Sequence, residues 1–355
     1  MNKYFRNLLH KYVPQQFHDP FGLLNRLIRS RDRAAWFAVE TSLLGLFLTP
    51  LDVILQVREN DLYGRAARPL SPMIFVCGAP RTGTTLVTQV LLNHLPLQYL
   101  NNLTSVFPRS PIVANQLFSR LVKRRPASYS SFYGKSDHLS GPNDALYIWD
   151  RWLGNDRGRI RESLTAAEKS SMTRFFGAFQ MAYPGPLLNK NNNLNVQANI
   201  VADVFDNAYF ICMTRDPLYL AQSLYLARLE IHGDTGVAYG IHDPDREATQ
   251  DIIQDVCRQV LFHHRKIHEQ QNRLGAERFW IVPYEQFCNQ PEGLVTRVAE
   301  DILGATIRTQ ELIKTLAPFT ISNKTRMEPE VFEEIQTTLS RLLTETEYNT
   351  MPLQG

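Results

Sequence analysis

Apolar positions change their spacing several times along the chain, and each change marks an element. Residues 1–65 are predicted helical and end in the polar stretch Arg58 to Arg68, ahead of Pro69 and Pro72. Met73-Ile-Phe-Val-Cys77 is then an unbroken apolar run closed by Gly78, the pattern of a strand covered on both faces. From Thr84 the residues Leu86, Val90, Leu91 and Leu95 return at helical spacing, which suits a helix packed on that strand. Thr165 with Glu168 is a capping-box signal before Met172, Phe175, Phe176 and Phe179. Leu194, Ala198, Val201 and Phe205 share one helical stripe, and Tyr209-Phe-Ile-Cys-Met213 reads as another strand. Asp216 suits the cap of a following helix, with Pro217 at its first position. Phe279-Trp-Ile-Val282 predicts one more strand, followed by helix from Pro291 to Leu303. This alternation predicts an α/β fold with a mostly parallel central sheet flanked by helices. Residues 1–70 form a helical N-terminal extension in this reading, and residues 71–355 one large domain.

Composition narrows the classes. The 355 residues include 38 Lys+Arg and 35 Asp+Glu, a net +3 that excludes a strongly basic nucleic-acid coat, so no nucleic-acid partner is expected. Four scattered cysteines with no CxxC pair exclude a disulfide scaffold and a cysteine zinc site, and fit a reducing compartment. No signal peptide is evident, and the oily segment from Ala34 to Leu55 is interrupted by Glu40, Pro50 and Asp52. That segment reads as a buried helix and not as a transmembrane span, so the expected location is cytoplasmic. Residues 1–33 carry seven Lys/Arg against two Asp, ordinarily a solvated face.

The sharpest local signal is Gly78-Ala-Pro-Arg-Thr-Gly-Thr-Thr85 between a buried strand and a helix. Backbone amides and the positive end of a helix converge there, which suits a phosphate. Arg81 supplies a planar fork of donors, and Thr82, Thr84 and Thr85 supply hydroxyls. A nucleotide triphosphatase loop ends in Gly-Lys-Ser/Thr, whereas Gly83 is followed by Thr84 and the cation precedes it.

Pro80-Arg-Thr-Gly-Thr-Thr85 resembles the phosphosulfate-binding loop of sulfotransferases that use 3′-phosphoadenosine 5′-phosphosulfate (PAPS). Thr214-Arg-Asp-Pro-Leu-Tyr-Leu-Ala-Gln-Ser223 resembles the family's second motif, whose Arg and Ser hold the 3′-phosphate, here Arg215 and Ser223. Val282-Pro-Tyr-Glu-Gln-Phe287 is similar to the stretch whose tyrosine, here Tyr284, lies by the adenine. Ser322-Asn-Lys-Thr-Arg326 sits where the family places basic residues over the phosphates, here Lys324 and Arg326. The resemblance covers roughly residues 71 to 330 and implies a P-loop-like sulfotransferase fold. It implies a PAPS-dependent sulfotransferase with PAPS as co-substrate, a small-molecule or glycan acceptor, and no required metal.

Such a transfer needs cations on the leaving side and a base on the acceptor side. Arg81 is the first cation; Lys190, in Leu187-Leu-Asn-Lys-Asn-Asn192, matches the family's Lys-containing stretch and is the second. The cytosolic branch places a catalytic His two residues after that Lys, where this chain has Asn192, and the tyrosine-protein branch a Glu in the region of Tyr99 to Thr104, which has no carboxylate. Ser130 to Gly134 followed by Gly141 to Trp152 resembles a bacterial stretch with an acidic residue just after the proline. Asp144 is therefore the candidate base, held near the acceptor by Tyr147 and Trp149, with His138 as the alternative. A P-loop kinase or hydrolase, and an inactive nucleotide-binding protein, are the competing classes. Arg151, Arg157, Arg159 and Arg161 beside Trp149 and Trp152 lean the acceptor toward a glycan, glycolipid or acidic small molecule. His232 to Asp245 is expected to be a mobile lid.

Overall fold

The computed structural model describes residues 22, 33–120, 122, 129, 138–246, 251–305 and 315–343. The helical expectation for residues 1–32 lies, Gly22 apart, outside them. Helices α1 (Arg33–Phe47) and α2 (Thr49–Arg65) precede strand β1 (Met73–Gly78), helix α3 (Thr84–His94) and the short β2 (Gln98–Tyr99). Helices α4 (Leu103–Val106), α5 (Pro111–Phe118), α6 (Leu146–Leu153) and α7 (Ala166–Ala182) lead to β3 (Leu187–Lys190). Then come α8 (Leu194–Ala202), β4 (Ala208–Thr214), α9 (Pro217–Ala227) and α10 (Ile252–Leu274). The chain continues through β5 (Phe279–Pro283), α11 (Tyr284–Asn289), α12 (Pro291–Arg297) and α13 (Pro329–Leu342).

All pairings in the five-stranded sheet are parallel, in the order β2-β3-β1-β4-β5. The central β1 is buried along its whole length because alternate side chains enter two different cores. Met73, Phe75 and Cys77 pack with Phe176 of α7, Ala198 of α8 and Trp149 of α6. Ile74 and Val76 pack on the other face with Val87, Val90 and Leu91 of α3 and Val295 of α12. From β1 the chain first builds the β2–β3 side, then crosses to β4. The carboxyl ends of β1, β3 and β4 therefore flank a switch point, where open α/β sheets hold their ligands.

The expected caps are present. Thr165 and Glu168 close a full capping box on α7. The Asp216 carboxylate accepts from the amides of Leu218 and Tyr219, with Pro217 at the first position of α9.

The expectation of one buried helix between Ala34 and Leu55 is corrected. Two helices meet there at 74°, and Leu43, Phe47 and Ile54 are exposed. The physical reason lies in α2. Asp52 accepts from the amides of Arg109 and Ser110, and Glu59 from those of Ile112 and Val113. Two carboxylates on one side of α2 thus satisfy the amides around the start of α5. That need turns the polar side of α2 inward and carries the helix through the polar stretch as far as Arg65.

Candidate active site

The loop after β1 is shaped by two glycines with positive φ. At Gly78 (φ +146°) an added Cβ would lie 2.5 Å from the Met213 carbonyl oxygen; at Gly83 (φ +87°) it would lie 2.5 Å from the Tyr284 ring. Between them Arg81 itself has φ 79°, in the left-handed region that non-glycine residues seldom adopt. The Thr82 hydroxyl closes the turn by donating to the Ala79 carbonyl at 2.8 Å. Helix α3 then starts with no side-chain cap, unlike α7 and α9. Its positive end and first amides face the crevice, a suitable seat for phosphate.

The loop and the second motif meet. Arg81 Nε donates to Ser223 Oγ at 3.2 Å across the crevice. Arg215, 9% exposed, donates through Nη1 to the Arg81 carbonyl at 3.0 Å and through Nε and Nη2 to Asn323 Oδ1 at 3.0 and 2.9 Å. Its guanidinium lies 5.2 Å from the centre of the Tyr284 ring. Burial pulls the Arg215 pKa below its ordinary value; Tyr284 and Glu285 oppose this, while the charges of Arg81 and Arg326 add to it. Three cations are thus close enough to disfavour one another, an arrangement that a polyanion relieves. Tyr284 backs Gly83 and bonds Ser322 Oγ at 3.1 Å. Lys324 and Arg326 are exposed, and Gln222 holds their backbone through the Lys324 carbonyl and the Arg326 amide. Asn323, Ser322 and Gln222 were not singled out from sequence; their only signal is membership of the Ser322–Arg326 stretch and the second motif.

On the other side of the loop, Lys190 at the end of β3 is 5% exposed and pairs with Asp144 Oδ1 at 2.8 Å. Its Nζ also donates to Thr85 Oγ1 at 3.2 Å. The pair sits at a small recess whose other walls include Thr88, Tyr99, Leu100, Pro142, Asn143, Leu188 and Asn189. Asn192 is tied to the loop by accepting from Thr84 Oγ1 at 3.0 Å. Pro80 lies against the neighbouring segment, where a Cβ on Gly240 would approach its Cγ to 2.6 Å. His138 instead bonds Ser140 Oγ through Nδ1 at 3.0 Å. The stretch Ser130 to Gly134 lies outside the described residues.

Two expectations about the acceptor side are corrected. Trp149 and Trp152 are 1% exposed and belong to the aromatic core around Phe176, and Tyr147 bonds Thr104. These aromatics cannot line an acceptor pocket. The arginines are structural: Arg157 forks onto Asp150 at 2.8 and 2.7 Å, and Arg161 binds the Trp152 carbonyl and Glu168. Arg151 donates to the Pro108 carbonyl, and Arg159 makes an exposed pair with Asp156. The lean toward glycans or acidic molecules loses its supports. The segment expected to be a lid, His232 to Asp245, is tied to its neighbours by hydrogen bonds in this conformation. Gln259 donates to the carbonyls of Tyr239 and Ile241 at 3.0 and 2.9 Å, Arg228 to that of Thr235 and Arg246 to that of Gly236. The segment carries a residue that sequence reasoning missed. Burial raises the Tyr239 phenol above its ordinary range, Arg81 opposing this and Asp144 reinforcing it, so the ring stands within electrostatic reach of both site residues.

Comparison with known proteins follows the same outline. A family model described as "Sulfotransferase family" matches residues 72–304. Omega-hydroxy-beta-dihydromenaquinone-9 sulfotransferases of Mycobacterium bovis and Mycobacterium tuberculosis are 20% identical over 300 residues, 78% of this chain and 75% of theirs. A protein-tyrosine sulfotransferase of Drosophila melanogaster is 22% identical over 245 residues, 63% of this chain and 42% of that one. The crystal structure of a sulfotransferase from Mycobacterium avium superposes with a TM-score of 0.57 at 15% identity, covering 99% of this chain and 96% of that one.

Proposed function

The chain belongs to the sulfotransferase family, and from that premise we propose that it moves a sulfuryl group from PAPS to a hydroxyl that an acceptor presents to Lys190 and Asp144. The observation that carries this reading is the Lys190–Asp144 pair at 2.8 Å, closing a largely apolar recess directly beside Thr85 of the phosphate loop. PAPS, when bound, supplies an activated sulfuryl group and a phosphate leaving group. The uncapped start of α3, the loop amides and Arg81 receive the 5′ end, and Ser223, Arg215 and Arg326 receive the 3′-phosphate. Tyr284 backs the loop, and Lys324 flanks the outer phosphate.

On the acceptor side Asp144 takes the proton of the attacking hydroxyl as the new oxygen–sulfur bond forms. Lys190 and Arg81 place positive charge where the bridging oxygen of the departing nucleotide gathers its electrons as its bond to sulfur breaks. Lys190 thus has two duties, orienting Asp144 and stabilising the leaving side. The walls Tyr99, Leu100, Pro142 and Leu188 favour a hydroxyl carried on an apolar stem, as in the omega-hydroxy quinone named for the mycobacterial relatives. Residues 71–355 form the transferase unit in this proposal, residues 1–70 its extension, and the scattered unpaired cysteines support a reducing compartment such as the cytoplasm.

Titration calorimetry with the desulfated nucleotide (PAP) and with ATP tests the donor side. PAP is expected to bind the tighter; the reverse order overturns the proposal. Labelled-sulfate transfer from PAPS to long-chain primary alcohols tests the acceptor side separately. Transfer confined to charged or sugar hydroxyls overturns the apolar-stem reading while leaving the donor reading intact.

A further inference from the structure

Asn189 is the odd residue of its row. β1 and β3 present Met73, Phe75, Cys77 and Leu187 to the aromatic core, and Asn189, opposite Phe75 in the register, faces the same way at 1% exposure. An amide buried there is costly unless both of its ends are bonded. They are: Oδ1 accepts from Trp149 Nε1 at 2.8 Å, and Nδ2 donates to the Asn143 carbonyl at 3.2 Å. An indole N–H only donates and a carbonyl only accepts, so the amide has a single orientation.

The second of these bonds bears on the site. The Asn143 carbonyl belongs to the peptide that leads into Asp144, and Lys190, the next residue of β3, holds the Asp144 carboxylate at 2.8 Å. Neighbouring residues of one strand therefore grip Asp144 at its incoming peptide and at its side chain. Asn143 is fixed at other groups too, its amide donating to the Leu100 carbonyl at 2.9 Å and its Nδ2 to Asn102 Oδ1 at 2.7 Å. Such restraint is needed, because Ala145, directly after Asp144, has φ +51°. A residue other than glycine keeps that left-handed conformation only where its surroundings impose it. We infer that Asn189 is a positioning residue for sulfuryl transfer, acting through Asp144 by locking the backbone that aims its carboxylate at Lys190 and the attacking hydroxyl. The inference rests on the reading of Asp144 as the base.

Two measurements on the full chain test it, with Asn189→Leu, nearly equal in volume, and with Asn189→Ser should the first fail to fold. Without any acceptor, hydrogen exchange across residues 143–146 is expected to quicken by about tenfold or more while β1 and β4 stay protected. Unchanged exchange overturns the inference. In turnover, a double-mutant cycle compares the substitution in the wild type and in Asp144→Asn. In the wild type kcat is expected to fall by about 10–100-fold, with PAP affinity held within about twofold. In Asp144→Asn the same substitution is expected to change kcat by less than about twofold, since no carboxylate is left to misplace. Equal losses in both backgrounds, or PAP affinity falling in step with kcat, mark a merely structural residue and overturn the inference while the base reading stands. Full turnover in Asp144→Asn alone overturns the base reading itself, and the inference with it.

Discussion

At the residue scale, Asp144 is free of the duty its position suggests. The helix α6 has no side-chain cap; the Ala145 amide just ahead of it donates to Asn143 Oδ1 at 2.7 Å, and the Asp144 carboxylate turns to Lys190. If it is the base, Asp144→Asn keeps the shape and removes proton uptake. Turnover is expected to fall by about 10²–10⁴-fold while PAP affinity in calorimetry holds; unchanged turnover would show that another group takes the proton. Tyr239 is argued on different grounds. Its phenol feels both Arg81 and Asp144, and Gly240 beside it lies so close to Pro80 that an added Cβ would come within 2.6 Å of Cγ. Tyr239→Phe is expected to lower kcat roughly tenfold or more with little change in the KM for PAPS, a split that loss of packing alone does not produce. Arg81, Lys190, Arg215 and Ser223 were legible because their motifs are local in sequence. Tyr239 and Asn323 were not, since only tertiary contact brings them to the loop.

At the scale of elements, residue patterning sufficed for several elements that pack on the sheet, though the four-residue β3 was not read as a strand. It was enough for β1, α3, the capping box of α7 and the Asp216 cap of α9. It failed at α2, where two carboxylates seek backbone amides of another helix and the apolar side faces out; a residue pattern looks the same whichever face is turned inward. Gly83 shows how strictly the loop is held. Gly83→Ala adds a Cβ at φ +87° against a ring, and is expected to cost about 1–3 kcal/mol and to weaken PAP binding in calorimetry. The α8–α10 contact makes a pH prediction. His263 of α10 meets Asn195 of α8 at 2.8 Å, and burial pushes its pKa down to about 4. An unfolded imidazole titrates near 6.5, so as the pH falls the unfolded chain takes up the proton first. Stability is therefore full above about pH 6.5 and declines toward pH 4, by up to about 3 kcal/mol from this group. Melting temperature against pH checks it, and His263→Gln is expected to flatten that limb.

At the scale of the whole molecule, the parallel sheet delivers two anchors to one crevice, and a buried ionic clamp holds the third wall over them. Arg228 is 0% exposed and donates to Asp255 Oδ2 at 2.5 Å and to Gln259 Oε1 at 2.7 Å; Arg246 forks onto the same Asp255 at 2.6 and 2.8 Å. Burial alone would raise the Asp255 pKa, but the bonds from Arg246 and Arg228 outweigh it and hold the carboxyl below its usual range. Its contribution is thus present at neutral pH and is lost only when acid protonates the carboxylate. Both arginines also hold carbonyls of the segment that carries Tyr239, so the clamp links α9, α10 and the site. Asp255→Ala leaves two cations facing one another in the interior and is expected to destabilise the fold by about 3–5 kcal/mol. Conservative Asp255→Asn keeps the volume and weakens the pull, so the fold persists for measurement. In that variant hydrogen exchange is expected to quicken across residues 233–246 while β1 and β4 stay protected, and kcat to fall in step with the effect of Tyr239→Phe. Unchanged exchange there would mean that packing, and not the clamp, fixes the wall; faster exchange with undiminished turnover would mean that the wall contributes nothing to the reaction.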